Sequence, residues 1–137
     1  DYASIQLRYE NNFQFDLIVS WYAAEKVRTW YLIGSNKMLK FDDVNKNAPI
    51  AIYDRGVTPT TRDTQWGVIF APRLGDITIP YIPYREPLLL EVQHFIECIK
   101  DEKEPLTNAE QGVRVIKVLD AIEKSIHVGG QPIKITK

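Results

Sequence analysis

The chain has 137 residues, 45% of them apolar and 26% charged, a balance that suits one soluble globular domain and excludes a disordered polar chain. Its formal net charge is -1 and its basic residues are spread along the sequence, which leaves no electrostatic footprint for nucleic acid or an anionic membrane surface. Apolar runs such as Leu88-Leu89-Leu90 fall far short of the ~20 residues that cross a bilayer, so neither nucleic acid nor membrane is an expected partner.

Cys98 is the only cysteine, so no intrachain disulfide can form, and there is no Asn-x-Ser/Thr acceptor site; a cytoplasmic location is the expectation. The sequence opens on Asp1-Tyr2-Ala3 and its one methionine is Met38, which suggests a single domain over residues 1–137 cut from a longer polypeptide.

Period-two alternation begins at once. Ile5, Leu7 and Tyr9 alternate with polar neighbours, Glu10-Asn11-Asn12 supplies a turn, and Phe13, Phe15, Leu17, Val19 and Trp21 resume the alternation. A hairpin with one apolar face is predicted. The third strand, Val27 to Ile33, carries apolar residues on both faces, and Gly34-Ser35-Asn36-Lys37 turns it into Met38-Leu39-Lys40-Phe41. Ile50 to Tyr53 is a further short strand. From Arg55 to Gly75 the prolines and glycines interrupt any period, so an irregular excursion is expected there. Asp76 to Ile79 is strand-like, and Pro80 to Tyr84 is extended because each proline removes a donor and biases its predecessor away from helix.

Two helices follow. Pro87 sits where a first turn accepts proline, and Leu88, Val92, Phe95, Ile96 and Ile99 form one apolar stripe. Thr107 with Glu110 has the spacing of a capping box for the second helix, whose stripe is Ala109, Val113, Ile116, Leu119, Ile122 and Ile126, with Gly129 as terminator. Pro132 to Ile135 alternates like a final short strand. Strands first and helices last predict an α+β domain, a largely antiparallel open-faced sheet with two C-terminal helices packed on one face. The other face is left for another domain or subunit.

Candidate ligand-binding residues are few. Lys26 and Arg28, just after Trp21, lie at a strand-loop junction where cations can bind phosphate or carboxylate; the plain alternative is a solvated loop charge. Tyr81 and Tyr84 can lie against a sugar or a neighbouring subunit, with structural packing the favoured reading. Glu91, His94 and Cys98 share a helix face, but three groups without a fourth make a poor metal site, so no metal is expected. Asp42-Asp43 reads as a turn and not a dyad, because adjacent residues in extended chain point to opposite faces. His127 reads as a cation placed to complement the dipole at the end of the second helix.

With these elements placed, the chain resembles the C-terminal domain of the Gfo/Idh/MocA oxidoreductases. The residues that carry the likeness are Ile18-Val19-Ser20-Trp21, Lys26-Val27-Arg28, Ile33-Gly34-Ser35, Gly75-Asp76-Ile77, Glu86-Pro87-Leu88, His94-Phe95-Ile96 and Cys98-Ile99. Thr107, Glu110, Gly112 and Val115 complete it. Within the family they look most like the branch acting on nucleotide-linked sugars. The resemblance implies an N-terminal Rossmann domain that binds NAD(P) in the parent protein, a sugar or nucleotide-sugar substrate, and a homo-oligomer formed through the open sheet face.

It also implies chemistry that this chain cannot supply. The family's catalytic lysine in Glu-Lys-Pro and its Asp-x-x-x-His helix have no counterpart here, and there is no G-x-G-x-x-G to cradle a pyrophosphate. No catalytic or cofactor-binding residue is therefore assigned, and Lys26, Arg28, Trp21 and Tyr81 are the candidate substrate contacts. Two functions remain open at this point. One is the substrate-side and oligomerisation domain of a sugar oxidoreductase; the other is a freestanding α+β binding module that uses its open sheet face for a ligand or protein partner.

Overall fold

A computed structural model describes residues 2–64 and 67–136, with side chains described outside 58–70. The architecture is α+β, with antiparallel strands preceding two helices. The chain divides into two compact units, one made of the residues up to Tyr22 with those from Arg85 onward, the other of Ala23–Tyr84.

In the first unit, β1 (Tyr2–Arg8) pairs antiparallel with β2 (Gln14–Ser20). Ile5 faces Leu17 and Leu7 faces Phe15, so the alternation puts the half-buried apolar residues of both strands on one face. The turn is closed by Tyr9 N–H donating to Phe13 O at 2.9 Å and by Asn12 at φ 62, a conformation that asparagine tolerates better than most residues. The Tyr9 and Phe13 rings meet across it with centroids 5.3 Å apart.

The second unit holds β3 (Thr29–Ile33), β4 (Met38–Asp42), β5 (Ile50–Tyr53), β6 (Gly56–Thr64), β7 (Gly67–Arg73) and β8 (Ile77–Thr78). Four of these form an antiparallel sheet in the order β3-β4-β5-β8, and Gly34 N–H to Lys37 O at 3.0 Å closes the β3–β4 turn. Every position of β4 and β5 is half-buried, as central strands require, whereas β3 at the edge is exposed from Trp30 to Ile33. The third strand is shorter than its pattern suggested, beginning at Thr29.

The segment expected to be irregular forms a hairpin instead, β6 with β7. Pro59 pairs with Phe70 and Pro72 with Val57, and a ribbon of only two strands tolerates them because the side of each strand away from its partner needs no donor. The register shifts between Thr60 and Thr64, and β-branched residues predominate in β6. Arg73 anchors the hairpin: its guanidinium pairs with Asp54 Oδ1 at 2.9 Å and donates to the backbone oxygens of Asp54 and Asn36.

Returning to the first unit, α1 (Pro87–Lys100) begins on Pro87 as predicted, with Glu86 at the N-cap and no side-chain cap hydrogen bond. It ends with Lys103 N–H donating to Cys98 O at 3.0 Å around Glu102 at φ 51, a left-handed closure usually given to glycine. α2 (Ala109–His127) is capped one residue later than the capping-box spacing indicated. Asn108, not Thr107, accepts from Gln111 N–H at 2.9 Å, and its amide donates to Glu104. Gly129 does terminate α2, at φ 72, with Gly130 N–H reaching Ser125 O at 2.7 Å. Pro132 to Ile135 forms no strand; Ser125 Oγ instead donates to Gln131 O at 2.7 Å. The apolar stripes are present on both helices and largely exposed: Phe95 is 61% exposed, Ile99 63%, Ile116 63% and Leu119 54%.

Two stability predictions follow from the second unit. A Cβ on Gly75 would stand 2.1 Å from Asp54 O, where Asp54 N–H also donates to Asp76 O at 2.9 Å. Gly75→Ala must shift backbone and should cost about 1–3 kcal/mol, seen as a lower thermal midpoint. The second concerns Lys40 Nζ, which lies 3.1 Å from Asp42 Oδ2. The hydrogen bond from Lys40, aided by the amides of Val44 and Asn45, holds the Asp42 carboxyl below its ordinary value, and the bond to Asp42 raises Lys40. A depressed carboxylate contributes stability above its unfolded value, near ~3.9, and loses it as pH falls through the folded one. A raised lysine contributes below ~10.4 and loses it as pH rises through its folded value. Asp42→Asn should therefore lower the thermal midpoint at neutral pH and flatten its fall on both the acid and the alkaline side, measured by unfolding at graded pH.

Candidate functional site

The chain leaves β2 through a tight bend. Tyr22 N–H donates to Ser20 Oγ at 3.0 Å, a local hydroxyl-to-backbone turn that ends the strand. Trp21 sits on this bend at 89% exposure, beside an open recess of about 470 Å³ lined also by Tyr2, Ala3, Val19 and Ser20. An indole on an apolar wall can stack on a sugar ring or fill a partner's pocket, since it offers a large flat face with one polar edge.

Lys26, Arg28 and Tyr81 belong to the other compact unit. Arg28 Nη1 pairs with Asp43 Oδ2 at 3.3 Å, and Arg28 O accepts from Asp43 N–H at 3.0 Å, so the guanidinium is tethered while 61% exposed. Among the described residues no hydrogen bond or ion pair engages the exposed Lys26 ammonium, and none joins Tyr81, 87% exposed, to either cation. Tyr84 is differently placed: Lys46 Nζ stands 4.4 Å from its ring centroid, a cation–π contact within the chain.

The other sequence candidates resolve into structural partnerships. Asp42 Oδ1 accepts from Val44 N–H at 3.2 Å and Asn45 N–H at 3.3 Å while Asp43 pairs with Arg28, so the two carboxylates serve a turn and a tether. Glu91 is exposed, whereas His94 and Cys98 do meet, with Sγ 3.5 Å from Nε2. Among the described residues no group of three or more histidines, cysteines or acids is placed to hold a metal. His127 lies 3.9 Å from Glu123 in the last turns of α2, where a cation suits the dipole.

Two features were not anticipated. His94 Nε2 accepts from Leu106 N–H at 3.1 Å; a backbone partner twelve positions on leaves no mark on side-chain periodicity. An apolar groove of about 530 Å³ along α2 is lined by Ala109, Gly112, Val113 and Ile116 with Lys117 and Asp120 at its margin. Its signal was the small residue Gly112 beside Ala109 and Val113 of the stripe.

No helix among the described residues is long and apolar enough to cross a membrane. A search of curated proteins and a search of solved structures each returned no match. A family model described as the oxidoreductase family C-terminal alpha/beta domain matches residues 1–135. Nearly the whole length is covered, and the α+β order of strands followed by two helices agrees with it: the chain belongs to the Gfo/Idh/MocA oxidoreductase family as its C-terminal domain.

Proposed function

We propose that the chain is the substrate-side and oligomerisation domain of an NAD(P)-dependent oxidoreductase acting on a sugar or nucleotide-linked sugar. The observation that carries this reading is the exposure of its apolar surface. Among residues with described side chains only Cys98 and Ala121 are buried, while Trp21, Ile33, Tyr81, Phe95 and Ile116 all stand in the open. Apolar surface on this scale belongs to a domain whose cover comes from other parts of an assembly, here a Rossmann domain and a second copy of the chain. Family membership favours this over a freestanding binding module.

The described residues do not fit a dinucleotide. α1 starts after Arg85-Glu86 and α2 after Thr107-Asn108, so neither helix N-terminus is approached through glycines. The Glu86 carboxylate at the α1 N-cap would also repel a pyrophosphate. The nicotinamide is therefore assigned to the parent's Rossmann domain, along with hydride transfer. The roles left for this chain are apolar stacking by Trp21 and charge recognition by Lys26 and Arg28, with Tyr81 as a further contact. Arg28 is tethered by Asp43, whereas the Lys26 ammonium has its donors available for an anionic group such as a uronate or a phosphate.

The test uses the full-length enzyme with a UDP-linked sugar and NAD+ in steady-state assays. Lys26→Ala and Trp21→Ala should each raise KM for the sugar about ten-fold or more with a smaller change in kcat, the pattern of lost ground-state contact. Unchanged KM in both variants would remove these residues from the site. Sedimentation of the same protein reads the second half of the proposal, and a strict monomer would exclude the oligomerisation role.

A further inference from the structure

His94 lies on the third turn of α1, half-buried, with two neighbours that bear on its protonation. Leu106 N–H donates to Nε2 at 3.1 Å, across the connection that joins α1 to α2. Cys98 Sγ stands 3.5 Å from the same nitrogen and 3.9 Å from Nδ1, with Cys98 itself only 8% exposed.

A backbone amide can only donate. Nε2 must then carry a lone pair, which makes the ring neutral with its proton on Nδ1. Adding a proton to Nε2 turns the acceptor into a donor facing another donor, and the contact with Leu106 is lost. The groups around the ring do little to oppose this. Cys98 is a weak partner on the same helix. On the connection, Asp101 is paired with Lys103 at 2.8 Å, Glu104 is bound by the Asn108 amide, and Glu102 is exposed. At the start of α2, Glu110 is paired with Arg114 at 2.9 Å. No carboxylate forms an ion pair with the His94 ring among the described residues.

From this geometry we propose that His94 is an acid-sensitive latch, which in its neutral form holds the connection at Leu106 and on protonation releases the residues that position the start of α2. Leu106 lies two residues before the Asn108 cap, whose side chain bonds both Glu104 and Gln111 N–H, so the latch acts on the short backbone that carries the first-turn hydrogen bonds of α2. An unperturbed imidazole changes charge between about pH 5 and 8, and those two values therefore bracket the test. The inference does not rest on the substrate role proposed above.

Hydrogen exchange by mass spectrometry on the full-length protein tests it, with the protection of peptides spanning Leu106 corrected for the intrinsic pH dependence of exchange. In the wild type, protection at Leu106 should fall about five-fold between pH 8 and pH 5, the scale of one net hydrogen bond. His94→Gln offers an amide oxygen that accepts but does not titrate, and should hold protection flat across that range. His94→Phe cannot accept and should show low protection at both ends. If His94→Phe does not fold, the wild type and His94→Gln still decide the matter. Wild-type protection that is independent of pH, or that falls equally in His94→Gln, would overturn the proposal.

Discussion

The structure depends on backbone hydrogen bonds that close locally. Most antiparallel ladders join consecutive strands, with β5–β8 the exception, and both helices are closed by backbone hydrogen bonds at their C-terminal ends. Little of the order comes from enclosed apolar volume: among elements with described side chains, only β4 and β5 at the centre of the four-stranded sheet are half-buried throughout. Backbone groups must be paired wherever water is excluded, and this local closure pairs them within each element. The apolar stripes on α1 and α2 and most of β3 are correspondingly exposed.

Most of this was legible in the residues. The β1–β2 register follows from the alternation of Ile5 and Leu7 with Phe15 and Leu17, because a slip of one residue would turn every apolar side chain to the other face. Pro87 and Gly129 marked helix ends through their backbone constraints, and both stand where expected. The hairpin of β6 and β7 was hidden because Pro59 and Pro72 act as breakers in a central strand but not in a two-stranded ribbon, a distinction that depends on how many neighbours a strand has. The α2 cap was displaced by one residue because Thr107 and Asn108 are both good caps, and the choice falls to the one whose side chain can also engage Glu104.

The candidate site was legible only in part, for a related reason. Residue type and loop position single out Lys26, Arg28, Trp21 and Tyr81, yet they do not say which charge is already engaged. Asp43 tethers Arg28 through both its side chain and its amide, a double contact that makes the guanidinium a fixed element more than a roaming one. Lys26 keeps a mobile, strongly hydrated ammonium. Family membership gives these residues a context, that of a C-terminal domain.

β3 carries a consequence for handling the molecule. It ends the strand order of its sheet, and Trp30-Tyr31-Leu32-Ile33 combines high strand preference with no charge and no proline. Strands of this kind at a sheet border recruit further strands, since nothing in the side chains discourages a newcomer from extending the ladder. A domain prepared apart from its natural surroundings would thus be limited by self-association along this border sooner than by loss of its fold. A lysine introduced in place of Leu32 would act as a gatekeeper there, keeping the isolated domain in solution.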